Sequence, residues 1–139
     1  MKRNGILNSD ISRVLSYMGH TDRIALGDCG LPVPEETERI DLALEFGKPS
    51  FLEVLKPVAN DMKIEKIVLA EEIKSQNPDM LQGILDTLGI ADMEQGEIQV
   101  EFVPHEEFKR QTRDCKAVIR TGEVSPYANV ILQSGCIFS

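Results

Sequence analysis

Short apolar runs alternate along this chain with stretches of helical period, and that alternation restricts the fold more than any other feature. Ile24-Ala25-Leu26, Ile64 to Ala70, Ala117-Val118-Ile119-Arg120 and Asn129-Val130-Ile131-Leu132 read as strands whose apolar parts are buried. Glu97 to Val103 alternates Ile98, Val100 and Phe102 against Gln99 and Glu101, the pattern of a half-buried strand. Ile40-Asp41-Leu42-Ala43-Leu44 is a further strand candidate with weaker alternation. Among these lie helical patterns. Ile11, Val14, Leu15 and Met18 form an i, i+3, i+4, i+7 stripe. Asn8-Ser9-Asp10 supplies capping oxygens before that stripe, and Gly19 offers a left-handed stop after it. Ser50 to about Asn60 places Phe51, Val54, Leu55 and Val58 on one face, and Pro57 inside it predicts a kink or an early end. Asn77-Pro78-Asp79 starts another helix, with Met80, Leu81, Ile84, Leu85 and Leu88 inward and Gly89 near its end. A short helix opens after Pro104 at His105. Strands interleaved with helices predict a layered α/β domain, and the mixture of short and long connections does not specify an all-parallel sheet.

The length of 139 residues predicts a single domain spanning 1–139, large enough for a core without metals or disulfides. A net charge of −8 repels phosphate backbones and anionic membrane surfaces, so neither nucleic acid nor a membrane is an expected partner. Cys29, Cys115 and Cys136 are odd in number and far apart, which argues against a disulfide framework and for a reducing compartment. Met1-Lys2-Arg3-Asn4-Gly5 is not followed by the apolar segment of a secretory signal, and no run approaches eighteen apolar residues. Elimination leads to a cytoplasmic expectation.

Neither G-x-G-x-x-G nor G-x-x-x-x-G-K-[ST] occurs, so the backbone cradles of dinucleotide and P-loop sites are missing. Ser125 in Gly-Glu-Val-Ser-Pro-Tyr lacks the second glycine of a nucleophile elbow. Two histidines with Asp28 could supply a facial metal triad, but their spacing does not select it. What remains is a set of loop-placed polar residues: His20, Asp28, His105, Tyr127 and Asn129. Each also has a plain structural role open to it. His20 suits a helix C-terminus, His105 a helix start, Asp28 and Asn129 turns, and Tyr127 a half-buried surface. Asp28-Cys29-Gly30 opens a loop past the carboxyl end of a strand, where α/β sheets place ligands. His20 lies before that same strand. The strand spans roughly 15–20 Å at about 3.3 Å per residue, too far for both residues to hold one small ligand unless the chain doubles back or a second subunit contributes.

Longer blocks carry a resemblance. They are Gly5-Ile6-Leu7-Asn8-Ser9, Gly19-His20-Thr21-Asp22, Asp28-x-Gly30-Leu31-Pro32-Val33-Pro34 and Ile40-Asp41-Leu42-Ala43-Leu44. Ala70-Glu71-Glu72-Ile73, Ile119-Arg120-Thr121-Gly122-Glu123 and Ser125-Pro126-Tyr127-Ala128-Asn129-Val130-Ile131-Leu132 follow. From end to end the chain resembles the D-ribose pyranase branch of the ribose/fucose mutarotase family. The resemblance implies a layered α/β/α subunit with a mixed sheet, and no cofactor or metal. It implies His20 as catalytic acid/base, and Asp28, His105 and Tyr127-Ala128-Asn129 as sugar-binding positions. It also implies D-ribose as substrate and a homodecamer of two stacked pentameric rings with clefts between subunits. Cys29 departs from the small residue, such as alanine, expected beside Asp28. The apolar C-terminus through Ile137-Phe138 is expected to be buried in the sheet or against a neighbour.

The implied reaction, exchange of β-D-ribopyranose with β-D-ribofuranose, opens one hemiacetal and closes another. It moves protons only, and a histidine exchanges them near pH 7 without an unusual pKa. The runner-up readings are a non-catalytic sugar-binding module and a mutarotase of another sugar such as fucose.

Overall fold

The computed structural model describes residues 1–138 and is built on one six-stranded sheet. Its strands are β1 (Arg23–Gly27), β2 (Glu38–Asp41), β3 (Ile64–Ala70), β4 (Gln99–Val103), β5 (Ala117–Arg120) and β6 (Val130–Ser134), in spatial order β2-β5-β1-β6-β3-β4. The β1–β5, β2–β5 and β3–β4 pairs are parallel, while β6 runs against both of its neighbours, β1 and β3. The expected mixed sheet is therefore present. The last strand lies inside it, with Ala25 opposite Ile131 and Val68 opposite Ile131 on the other side. A strand flanked on both edges and covered on both faces must be apolar throughout, and Val130-Ile131-Leu132 is fully buried. The sheet's own edges are polar: Arg39 and Asp41 on β2 and Gln99 on β4 face solvent.

Period-two alternation sorts the strand residues between two faces. Ile24, Leu26, Ile67, Leu69, Ile119, Val130 and Leu132 pack with Ile11 and Val14 of α1 (Ser9–Tyr17), with Phe51, Leu55 and Val58 of α2 (Phe51–Asp61), and with the helices that follow β3. Those are α3 (Ile73–Gln76) and α4 (Pro78–Thr87), which bury Ile73 and Ile84. Ala25, Val68, Val118 and Ile131 face the other way, onto Leu31, Cys115 and Phe108 of α5 (His105–Gln111). The result is the expected α/β/α layering. Among the described residues no helix is long and apolar enough to cross a membrane.

Local chemistry explains most boundaries. The Asn8 side chain accepts the Ile11 N–H at 2.9 Å and starts α1. Ser50 and Glu53 form a reciprocal capping box at the head of α2. Several features differ from the sequence expectation. Gly19 does not close α1: the helix ends at Tyr17, Met18 is extended, and Thr21 takes the left-handed conformation instead, at φ 74°. Of the kink or early end expected at Pro57, the early end does not occur: α2 continues to Asp61, with Pro57 on its exposed face. The strand expected at 40–44 lies at Glu38–Asp41, because β2 pairs with β5 only as far as Asp41 opposite Arg120. The short helix α3 was not expected. Ile137 and Phe138 are not buried in the sheet but are 87% and 78% exposed, and Ser139 lies outside the described residues.

Candidate functional site

The topology gathers two sets of loops at opposite edges of the sheet. At the carboxyl edge, Asp28 follows β1, Glu72 follows β3, His105 follows β4, and Tyr127-Ala128-Asn129 leads into the reversed β6. Asn129 is fully buried, and its Oδ1 accepts the Asp28 backbone N–H at 3.0 Å. That bond sets the orientation of the amide and leaves Nδ2 as a buried donor without a hydrogen-bond partner among the described residues. The approach depends on Gly27, where a Cβ would stand 2.5 Å from Leu31 Cδ2 and 3.0 Å from Asn129 Oδ1. Asp28 Oδ1 accepts the Gly30 N–H at 2.9 Å. Burial pushes the Asp28 carboxyl above its ordinary value, against the opposing pull of that N–H, the Asn129 amide and the charge of His105. Arg120 holds the loop in place, donating through Nε to the Cys29 carbonyl at 3.0 Å while its Nη1 binds the Asp41 carboxylate.

His105 is the first residue of α5, so its N–H has no intrahelical acceptor; the Glu72 carboxylate accepts it at 3.0 Å. The imidazole stacks near Phe108, with centroids 6.3 Å apart, and meets the Tyr127 ring edge-on at 5.1 Å. Its Nδ1 is a second buried polar atom without a partner among the described residues. Tyr127 has φ 58°, and with Thr21 it is one of two non-glycine residues with positive φ in the described chain. Strained backbone of this kind, at about 1–3 kcal/mol per residue, persists where surrounding contacts enforce it. Here the Asn77 side chain holds the Pro126 carbonyl at 2.8 Å, and Asn129 N–H binds the Tyr127 carbonyl at 2.9 Å.

His20 occupies the other edge, ahead of β1. Its loop is pinned by the Thr21 N–H to the Ser134 carbonyl at 2.9 Å, and by Gly19 N–H to the Asp22 carboxylate at 2.9 Å. Its side chain is half exposed, and Nε2 lies 2.7 Å from Glu65 Oε1 at the start of β3. Gln133 and Arg23 continue the polar contacts away from Glu65.

The fold thus brings Asp28, His105, Tyr127, Ala128 and Asn129 together and leaves His20 apart. The five residues of β1, about 15 Å or more, separate His20 from Asp28 in one chain. A facial triad of His20, Asp28 and His105 cannot close within one chain for the same reason. Sequence reading passed over Gly27, Glu65 and Glu72. Gly27 carried only a boundary signal, and the carboxylates lay among the 23 acidic residues with no local mark to single them out.

Comparison with known proteins places the chain. The RbsD / FucU transport protein family matches residues 1–137. A D-ribose pyranase of Geobacillus thermodenitrificans is 53% identical over 139 residues, covering 100% of both chains. Among solved structures, Bacillus subtilis RbsD complexed with D-ribose superposes with a TM-score of 0.91 at 44% identity, over 99% of this chain and 100% of that one. A Streptococcus pneumoniae fucose mutarotase in complex with L-fucose has a TM-score of 0.79 at 22% identity over 94% of each chain, a likeness of fold. By the extent of the match and the identity along its whole length, the chain belongs to the RbsD / FucU transport protein family.

Proposed function

We propose that the chain is a cofactor-free isomerase of D-ribose that interconverts the β-pyranose and β-furanose forms. His20 acts as the acid/base, and Asp28, His105 and Tyr127-Ala128-Asn129 hold the sugar. The observation that carries this reading is the pair of unpartnered buried polar atoms, Asn129 Nδ2 and His105 Nδ1, beside the partly buried Asp28 carboxylate. A buried polar atom without a partner destabilises the fold unless a ligand or solvent engages it. A polyol suits this set, because the amide donates to one hydroxyl oxygen while the carboxylate accepts from another. Tyr127 offers an apolar ring face to the C–H surface of the sugar. Ala128 has its side chain packed in the core, so only its main chain is available to a ligand. The full-length identity to a D-ribose pyranase and the likeness to a ribose-bound structure support ribose over other polyols.

Ring opening needs a proton removed from the anomeric hydroxyl and one delivered to the ring oxygen. Reclosure through the C4 hydroxyl in place of the C5 hydroxyl reverses those transfers. A half-exposed histidine suits this exchange. Because His20 and Asp28 of one chain lie at opposite edges, each cleft in this reading takes His20 from a second copy. The assembly is the decamer of two stacked pentamers that the family resemblance implies. The exposed apolar side chains Leu44, Phe46, Ile137 and Phe138 support burial against a neighbour. The three cysteines are free, which supports a cytoplasmic location. The reading takes the whole chain as one domain.

Saturation-transfer NMR on equilibrated ribose tests the proposal. With protein added, saturation of a pyranose resonance should pass to the furanose resonance, and a chelator should not change the rate. Ribose binding without accelerated exchange would make the chain a sugar-binding module instead.

A further inference from the structure

Glu65 stands at the amino edge of the sheet with its two carboxylate oxygens engaged by different side chains. Oε1 lies 2.7 Å from His20 Nε2, and Oε2 accepts from Gln133 Nε2 at 2.7 Å. Hydrogen bonds from Gln133 and His20 hold the carboxyl below its ordinary range, so at neutral pH it is an acceptor only. The proton in the short contact with His20 therefore resides on Nε2. No other hydrogen bond engages the His20 ring among the described residues, and Nδ1 is left as the nitrogen with a free lone pair.

The carboxylate is itself held. Gln133 Oε1 accepts from Arg23 Nε at 2.9 Å, so the amide cannot rotate by half a turn without losing bonds at both ends. Arg23 Nη1 donates to Gln111 Oε1 at 3.0 Å, and Gln111 Nε2 donates to Glu107 Oε2 at 3.0 Å. Donors and acceptors alternate along this chain from α5 through β1 and β6 to β3. Each member fixes the orientation of the next, and the chain terminates on the imidazole.

We propose that Glu65 is the positioning residue for His20, holding the ring by Nε2–H so that Nδ1 is the atom that exchanges protons with the sugar. This rests on the reading of His20 as the acid/base. The anomeric O–H bond breaks as an N–H bond forms at Nδ1. The released electron pair makes the C1 carbonyl while the bond from C1 to the ring oxygen breaks, and that oxygen takes the proton back from Nδ1. Between the two transfers the imidazolium faces the Glu65 anion, which stabilises it.

The test compares Glu65→Ala, Glu65→Gln, His20→Ala and the double variant Glu65→Ala/His20→Ala. It measures exchange at saturating ribose, ribose affinity, and the ¹⁵N shifts of the His20 ring. Glu65→Ala should slow exchange by about tenfold to a hundredfold, part of the roughly 10²–10⁴ that general acid–base catalysis supplies, with ribose affinity nearly unchanged. Glu65→Gln keeps an acceptor for Nε2–H and should retain more exchange than Glu65→Ala. Adding Glu65→Ala to His20→Ala should cost nothing further, since the two act as one unit. The neutral ring should show one tautomer, with Nδ1 bare, in the wild type and a mixture in Glu65→Ala. Wild-type exchange in Glu65→Ala, a further loss in the double variant, or a proton on Nδ1 in the wild type would each overturn the assignment while His20→Ala still fails. Wild-type exchange in His20→Ala would instead remove the acid/base reading itself.

Discussion

The two edges of the sheet solve opposite problems. At the carboxyl edge, polar groups are partly withdrawn from water: Asn129 is fully buried, Asp28 is partly buried, and two polar atoms have no partner within the described chain. At the amino edge, His20 remains half exposed, and the polar groups behind it are paired in sequence from Glu65 to Glu107. Desolvated, unsatisfied groups favour a ligand that supplies the missing hydrogen bonds, at a cost in stability. A solvent-accessible imidazole with a fixed neighbour favours rapid proton exchange at little cost in stability. In the proposed reading, recognition and proton transfer call for different surroundings, and β1 separates the two sets of residues in each chain.

The largest expected effect separates the edges most sharply. His20→Ala should lower ribose exchange by about 10²–10⁴-fold, the range of general acid–base catalysis, while ribose still binds. Exchange by saturation transfer and affinity by calorimetry check it; loss of binding alone would assign His20 to recognition. Mixing two proteins impaired at opposite edges tests whether the edges meet across subunits. His20→Ala and the double variant Asp28→Ala/Asn129→Ala, unfolded and refolded together and assayed at ribose too dilute to saturate the double variant, should exchange ribose faster than the sum of the two alone, because some clefts would combine two intact halves. No recovery would mean that one chain holds the whole site. Removing residues 137–139 should reduce the assembly seen by light scattering before it changes the circular dichroism. A full-sized oligomer would show that the exposed Ile137 and Phe138 lie outside any interface.

Smaller effects sharpen the contrast. Asn129→Ala and Asp28→Asn each remove a hydroxyl partner, and each should weaken ribose binding by about 0.5–1.5 kcal/mol, or more for the charged group. Exchange within the bound complex should fall less than affinity.

The smallest effect is on stability, and it has opposite signs at the two edges. Asp28 is raised above its ordinary value of 3.8, so its stabilising contribution is present below that value and lost as pH rises through the folded pKa. Asp28→Asn should therefore raise Tm at neutral pH and lose that advantage in acid. Glu65 is lowered from 4.5, so its contribution is present above that value and lost as pH falls through the folded pKa. Glu65→Gln should lower Tm at neutral pH, and the difference should likewise vanish in acid. Thermal unfolding from about pH 3 to pH 7 compares the two.

The residues that could be read in the chain itself were those whose signal is local. Apolar runs marked β1, β3, β5 and β6, and stripes of period 3.6 marked α1, α2 and α4. The capping oxygen at Asn8 marked the start of α1, because a cap acts on backbone groups two or three residues away. His20, Asp28, His105, Tyr127 and Asn129 stood out as loop polar residues, and the strand between His20 and Asp28 already set those two apart, but no spacing showed that His105, Tyr127 and Asn129 join Asp28. That depended on β6 inserting backwards between β1 and β3, which carries Tyr127-Ala128-Asn129 to the edge where Asp28 and His105 lie. Glu65 and Glu72 had no local mark of a role, and Gly27 marked only the end of an apolar run. A small residue under Asn129, a carboxylate opposite an imidazole 45 positions away and another 33 positions before the N–H it accepts acquire meaning only when strands pair. Hydrophobic period and capping act over a few residues and are written in the chain. Strand order, and the side chains it brings within hydrogen-bond reach, follow from burying the whole sheet at once.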